Sequence, residues 1–135
     1  MGLDVGEKRI GIAVGETEIG IATPYDAIER QGPVNDDVFT VIEIAEKQGV
    51  GKLVVGLPLT LSGREGSQAR SVRRFVESIR AQTNLRVLTV DERYSTVDAE
   101  RRMRDVGEKP SLNRGRVDSA AAAIILQVYF DSNLK

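Results

Sequence analysis

Hydrophobic and polar positions along the chain fall into segments of two different periods. Residues 2–6 form a short apolar stretch around one acid, Asp4. Ile10, Ile12 and Val14 then alternate with Gly11, Ala13 and Gly15, the period of two that marks a strand. Glu7-Lys8-Arg9 is the expected hairpin connection between them. Residues 19–28 read as a third strand, weakened by Pro24, which has no amide to donate to a ladder. The period then becomes helical: Val38, Val41, Ile42 and Ala45 share one face. Asn35 is the expected cap of this helix, Asp36 and Asp37 suit its positive end, and Gly49 and Gly51 stop it. Residues 52–57 are a continuous apolar run of the kind buried in a parallel sheet. A glycine-bearing loop, 58–66, leads to a second helix with a stripe of Ala69, Val72, Phe75, Val76 and Ile79. Residues 85–90 read as a strand, about 96–105 as a polar helix, 107–115 as a basic Gly/Pro-bearing loop, and about 117–130 as a last helix.

This order predicts a mixed α/β domain, with an opening meander, later strands joined by crossovers, and helices packed on a central sheet. The 135 residues fit one domain spanning 1–135. No apolar run approaches the roughly 20 residues that span a bilayer, and an acid stands where a signal peptide has its basic region. A cytoplasmic location without membrane association is therefore the default expectation.

Composition narrows the chemistry. The chain has no cysteine and no histidine, which excludes disulfides, thiolate metal sites, His-based catalysis and most zinc sites. Charge is uneven beneath a net of −1. Residues 1–63 carry 5 basic and 10 acidic side chains, whereas 64–116 carry 13 basic and 8 acidic. The middle block is a candidate surface for a polyanion, or simply a set of solvated helix faces.

Three acids stand out. Asp4 interrupts an apolar strand, where Asp is depleted; its side chain points away from Leu3 and Val5, or else it supports the turn at Gly6. Asp91-Glu92 lies at the C-terminal end of a strand, where open α/β sheets gather ligands. Alternation puts Glu92 on the side of Val90 and Leu88, with Asp91 opposite; the plainer alternative is a strand end paired with Arg93. Asp118 opens the expected last helix, where any acid is electrostatically favoured, yet Ala122 and Ile125 at i+4 and i+7 put it on the core-facing side. Carboxylates brought together need an intervening cation, and oxygen donors without His or Cys suit Mg²⁺ or Mn²⁺. Two such ions can serve phosphodiester hydrolysis.

Four segments carry a resemblance. Asp4-Val5-Gly6-Glu7-Lys8-Arg9-Ile10-Gly11-Ile12-Ala13, then Val55-Gly56-Leu57-Pro58-Leu59 with Gly63, then Asp91-Glu92-Arg93-Tyr94-Ser95-Thr96, then Val117-Asp118-Ser119-Ala120-Ala121-Ala122 with Ile125-Leu126, resemble in order the motifs of the YqgF/RuvX family of Holliday junction resolvases. The resemblance implies an RNase H-like fold: a mixed five-stranded sheet, its first three strands antiparallel and the others parallel to the first, flanked by helices. It implies that Asp4, Glu92 and Asp118 bind two divalent ions and carry catalysis. It also implies a nucleic-acid substrate, either branched DNA or the 5′ end of pre-16S ribosomal RNA. Only three residues precede Asp4, fewer than is usual in the family, which leaves the register of the first strand and the natural start open.

Other residues are candidates for nucleic-acid contact, each with a plainer alternative. Lys8 and Arg9 can reach a phosphate or simply form a charged hairpin tip. Arg93 can bind phosphate, orient Glu92 or make a surface pair. Ser95 and Thr96 can bond a backbone or cap the next helix. Lys109, Arg114 and Arg116 can grip a strand. Ser62, Gly63 and Arg64 can approach a phosphate or make a strand-to-helix turn. With three Phe, three Tyr and no Trp, backbone and shape would dominate over base stacking. An actin-like ATPase shares the Asp-x-Gly opening but needs two domains. A non-enzymatic nucleic-acid or ribosome-binding factor fits the charge equally well, but gains little from carboxylates facing phosphates. Paired cuts at a junction would call for a dimer; both monomer and homodimer stay open.

Overall fold

In a computed structural model, which describes residues 1–94 and 110–133, five strands and three long helices alternate along the chain. Strands β1 (Gly2–Val5), β2 (Arg9–Glu16) and β3 (Ile21–Glu29) form an antiparallel meander. Helix α1 (Val34–Lys47) crosses to β4 (Lys52–Leu57), and α2 (Ser67–Gln82) crosses to β5 (Arg86–Asp91). A 3-10 turn, Glu92–Tyr94, follows β5, and α3 (Pro110–Asn133) closes the described chain. The sheet order is β3-β2-β1-β4-β5, with β4 parallel to β1 and β5 parallel to β4. This is the RNase H-like architecture the resemblance implied.

Alternation divides the sheet into two apolar layers. Leu3, Val5, Ile10, Ile12, Leu53, Val55 and Leu57 pack with Val38, Val41, Ala45, Val72, Phe75, Val76 and Ile79 of α1 and α2. On the opposite face Ala13, Val54 and Val90 pack with Ala121, Ala122, Ile125, Leu126 and Phe130 of α3. The α3 face mixes alanines with Ile125, Leu126 and Phe130. A Cβ on Gly2 would come within 2.8 Å of the Ala122 carbonyl and of the Leu126 side chain, so glycine there sets how closely helix and sheet approach.

Several expectations change in the structure. Asn35 does not cap α1: the N-cap is Pro33, with no side-chain cap bond, and the Asn35 side-chain oxygen accepts from Ser78 and Gln82 of α2 at 3.0 and 3.2 Å. A polar side chain at a helix start has more than one donor within reach, and the neighbouring helix won. The third strand forms as expected, with Pro24 within it. This proline sits on the sheet edge beside a register shift, where Ile12 pairs with Asp26 and Ala13 with Pro24, leaving Tyr25 as the extra residue. The last helix begins at Pro110, so 110–115 is helical rather than loop; proline is well tolerated in a first helical turn. The polar helix expected at about 96–105 lies outside the described residues. Among the described residues no helix is long and apolar enough to cross a membrane.

Candidate active site

The candidate acids occupy the α3 face of the sheet. Leu3 and Val5 turn to the α1/α2 layer, so Asp4 between them points to α3, where it is only 6% exposed. Its neighbours across the sheet are glycines. Asp4 pairs with Gly11 of β2, and the register of β1 on β4, with Leu3 opposite Val55, leads one residue further to Gly56. The residue paired with Asp4 on each adjacent strand is therefore a glycine.

What stands over those two glycines is the other two acids. A Cβ on Gly11 would collide with the backbone carbonyl of Asp118. A Cβ on Gly56 would fall 2.5 Å from Oε1 of Glu92 and equally close to Ile125. The 3-10 turn after β5 thus carries Glu92 to the α3 side, opposite Asp91, as strand alternation anticipated. Asp118 corrects one expectation. It lies in the third turn of α3, not at its start, so the helix N-terminus gives it no special support, because that effect fades beyond the first turn.

Its partner is a cation. Arg9 Nε donates to Asp118 Oδ2 at 2.7 Å, with the two side chains 24% and 20% exposed. Arg9 was a candidate phosphate contact; here it also binds one of the acids, a pairing 109 residues apart that no local spacing announces. Among the described residues no three acidic side chains form a cluster able to hold a metal as they stand. The donor set nonetheless fits a hard divalent ion: carboxylate oxygens only, a buried Asp4 in a glycine cradle, and Glu92 and Asp118 over the two sides of that cradle.

The remaining candidates divide. Arg93 makes the surface pair that was its plainer alternative: its guanidinium meets both Asp91 oxygens at 2.7 to 3.2 Å, and its amide donates to Oδ1 at 2.9 Å. This clamp holds the Asp91 carboxyl below its usual range, the Arg93 side-chain bonds being the main cause. The loop with Ser62, Gly63 and Arg64 closes on itself through Thr60, with Gly63 at φ +85°; it abuts Arg93, whose Nη1 would lie 3.0 Å from a Gly63 Cβ. Lys8 is exposed at the β1–β2 turn and Arg116 is exposed on α3. Ser95, Thr96, Lys109 and the side chain of Arg114 lie outside the described residues.

A cleft of about 920 Å³ opens between the 6–9 turn, Glu29 to Gly32, and the first turns of α2 at Ser67, Gln68 and Ser71, and none of the three acids lines it. Lys8 and Arg9 line it. Arg30 braces its turn. The Arg30 amide donates to the Lys8 carbonyl at 2.9 Å and Nη1 to the Gly6 carbonyl at 3.0 Å, while Nε bonds Asp37 at 2.9 Å and the guanidinium lies 5.3 Å from the Phe75 ring centre. The pattern of the sequence did not single out Arg30, and it read Asp37 only as an acid near a helix start. In the structure Asp37 is 1% exposed. A second acid in the first turn of an otherwise apolar helix face was the available signal.

The family model RuvX, Holliday junction resolvase, matches residues 1–132. Proteins named "Putative pre-16S rRNA nuclease" from Chloroflexus aggregans and a Roseiflexus species are 41% and 42% identical over 132 residues, covering 98% of this chain and 92% and 93% of theirs. A third of that name, from Endomicrobium trichonymphae, is 39% identical and covers 97% of this chain and 94% of its own. Among solved structures, Thermus thermophilus RuvC in complex with a Holliday junction substrate superposes with a TM-score of 0.59 at 14% identity, covering 98% of this chain and 93% of that one. That likeness is one of fold.

Proposed function

The chain belongs to the RuvX family of Holliday junction resolvases, and from that membership we propose that residues 1–135 form one nuclease domain that hydrolyses nucleic-acid phosphodiesters with Mg²⁺ or Mn²⁺. The observation that carries this reading is the disposition of Asp4, Glu92 and Asp118. One acid is buried between two glycines, and the other two stand over those glycines on the same face of the sheet. A binding factor would gain nothing from a negative cradle facing phosphates.

In this reading Asp4, Glu92 and Asp118 would hold the two divalent ions. The ions, when bound, supply Lewis-acid charge for the phosphoryl oxygens and an activated water. The protein's own residues orient the substrate. Lys8 and Arg9 at the mouth of the cleft receive the phosphate backbone, and Arg116 and the candidates Arg93, Ser95, Thr96, Lys109 and Arg114 extend the contact along it. The glycines at 11 and 56 let the Asp118 backbone and the Glu92 side chain approach the sheet on either side of Asp4.

The substrate follows the relatives. The relatives' shared name favours pre-16S ribosomal RNA as the substrate; action at its 5′ end and in the cytoplasm is part of this proposal. The family description favours branched DNA as the second reading. The test is cleavage by the purified protein of a pre-16S fragment, a four-way DNA junction and its duplex arms, each with Mn²⁺, Mg²⁺ or EDTA. Metal-dependent cutting is expected, lost in Asp4→Asn and Asp118→Asn while their circular dichroism stays native. The preferred substrate decides between the readings. Cutting by Asp4→Asn at the wild-type rate sinks the site assignment. Salt-sensitive binding without cutting of any substrate replaces the nuclease with a binding factor.

A further inference from the structure

We propose that Arg9 competes with the divalent cation for the Asp118 carboxylate, and so sets how much metal the site requires. The inference rests on the reading of Asp118 as a metal ligand. Arg9 Nε donates to Asp118 Oδ2 at 2.7 Å, and both side chains are about four-fifths covered, so the pair is less screened than a surface bridge. A charge-assisted bond to that oxygen draws on the electron density a cation would use, and adds a positive charge beside the incoming ion.

The fold holds the competitor in place. Arg9 opens β2 two residues before Gly11 and so shares its face. Gly11 takes the Asp118 carbonyl against its bare Cα. The backbones carrying the two charges are thereby fixed by helix-on-sheet packing, and little chain entropy opposes the pairing. A guanidinium does not lose its proton at any working pH. Relief therefore requires it to move, and the cleft that Arg9 already lines, beside Lys8, offers the space. A substrate phosphate entering that cleft would draw the guanidinium from Asp118, because its planar donors suit phosphate oxygens. Phosphate and cation would then assist each other's binding, since such coupling is reciprocal. Arg9 is in this sense a positioning residue, acting through Asp118.

The test uses the full chain, thermal unfolding, and Mn²⁺ alone as the probe, so it needs no cleavage. The Mn²⁺ concentration giving half of the maximal rise in Tm is compared for wild type, Arg9→Gln, Lys8→Gln and Asp118→Asn. Arg9→Gln is expected to saturate at about tenfold less Mn²⁺, the equivalent of about 1.4 kcal/mol. Lys8→Gln, which removes an exposed charge next door, should shift it less than about twofold. Should Arg9→Gln fail to fold, Arg9→Lys, which keeps the charge but lacks Nε, should saturate at about threefold less. An Arg9 variant that needs as much Mn²⁺ as wild type, or more, overturns the proposal, and so does a Lys8→Gln shift as large as that of Arg9→Gln. A wild type that does not respond to Mn²⁺ while Asp118→Asn behaves identically retires the metal-site reading itself. A responsive wild type with an unshifted Arg9 variant retires only the role of Arg9.

Discussion

Arg30 and Asp37 show how a single pair can hold a turn. Arg30 reaches the carbonyls of Gly6 and Lys8, on either side of the turn that follows Asp4, and Asp37 anchors the guanidinium while also accepting the Gln31 amide at 2.7 Å. The side chains are 13% and 1% exposed. Removing one partner of such a pair leaves a buried charge without compensation. Asp37→Leu is expected to destabilise the fold by about 3 kcal/mol in urea unfolding. The double change Arg30→Met with Asp37→Leu should recover much of that stability, because replacing both charges by apolar groups removes the desolvation cost as well. A double variant less stable than Asp37→Leu would show that the bonds to the turn, rather than the buried charge, dominate. The sequence marked Asp37 only as an acid suited to a helix start and did not mark Arg30, because the pair's importance comes from a carbonyl and a ring that chain spacing does not reveal.

At the scale of elements, the decisive contact is α3 against β1, β2 and β4. Gly2, Gly11 and Gly56, with the alanines of α3, bring the helix near enough for Asp118 to share a face with Asp4. Gly11→Ala should therefore act on both stability and site. Its methyl meets helix backbone at Asp118, which cannot swing aside as a side chain could. A loss of about 2 kcal/mol is expected from overpacking, and the displaced helix should weaken Mn²⁺ binding in the same variant. An unchanged Tm with native metal response would mean that α3 yields freely at that point. The strands of this layer were legible from period and apolarity. The start of α3 was not, because Pro110 permits either a loop or a first helical turn, and packing on the sheet extends a helix beyond what its own pattern marks.

For the whole molecule, charge and proton uptake give two expectations. The Met1 amino group donates to the Lys52 carbonyl at 2.8 Å, and burial pushes its pKa from 8.0 down to about 6. Between these values the unfolded chain binds more protons than the folded one, so stability of the 135-residue chain should rise from pH 6 to pH 8. Asp91, depressed by Arg93, contributes stability present above its ordinary value and lost as pH falls through its lowered one. Urea midpoints taken from pH 5.5 to 8.5 should show the upper window, and Nα-acetylation should flatten it; a flat profile for the free amine would count against its burial. The basic excess in 64–116 predicts a second behaviour. Affinity for a nucleic acid should fall steeply between about 50 and 200 mM salt, and a flat response in a binding titration would remove that block from the interface.

The sequence by itself determined the layers and singled out the three acids as candidates. Strand and helix periods dictate which side chains are buried, and an acid in an apolar strand stands out against that background whatever surrounds it. Only the tertiary structure decided which groups meet. Arg9 finds Asp118 across 109 positions, Arg30 braces the turn after β1, Asn35 turns to α2, and two glycines let α3 and Glu92 close in beside Asp4. Each of these depends on how strands register and how closely a helix can approach them, and those distances arise only when the whole core packs at once.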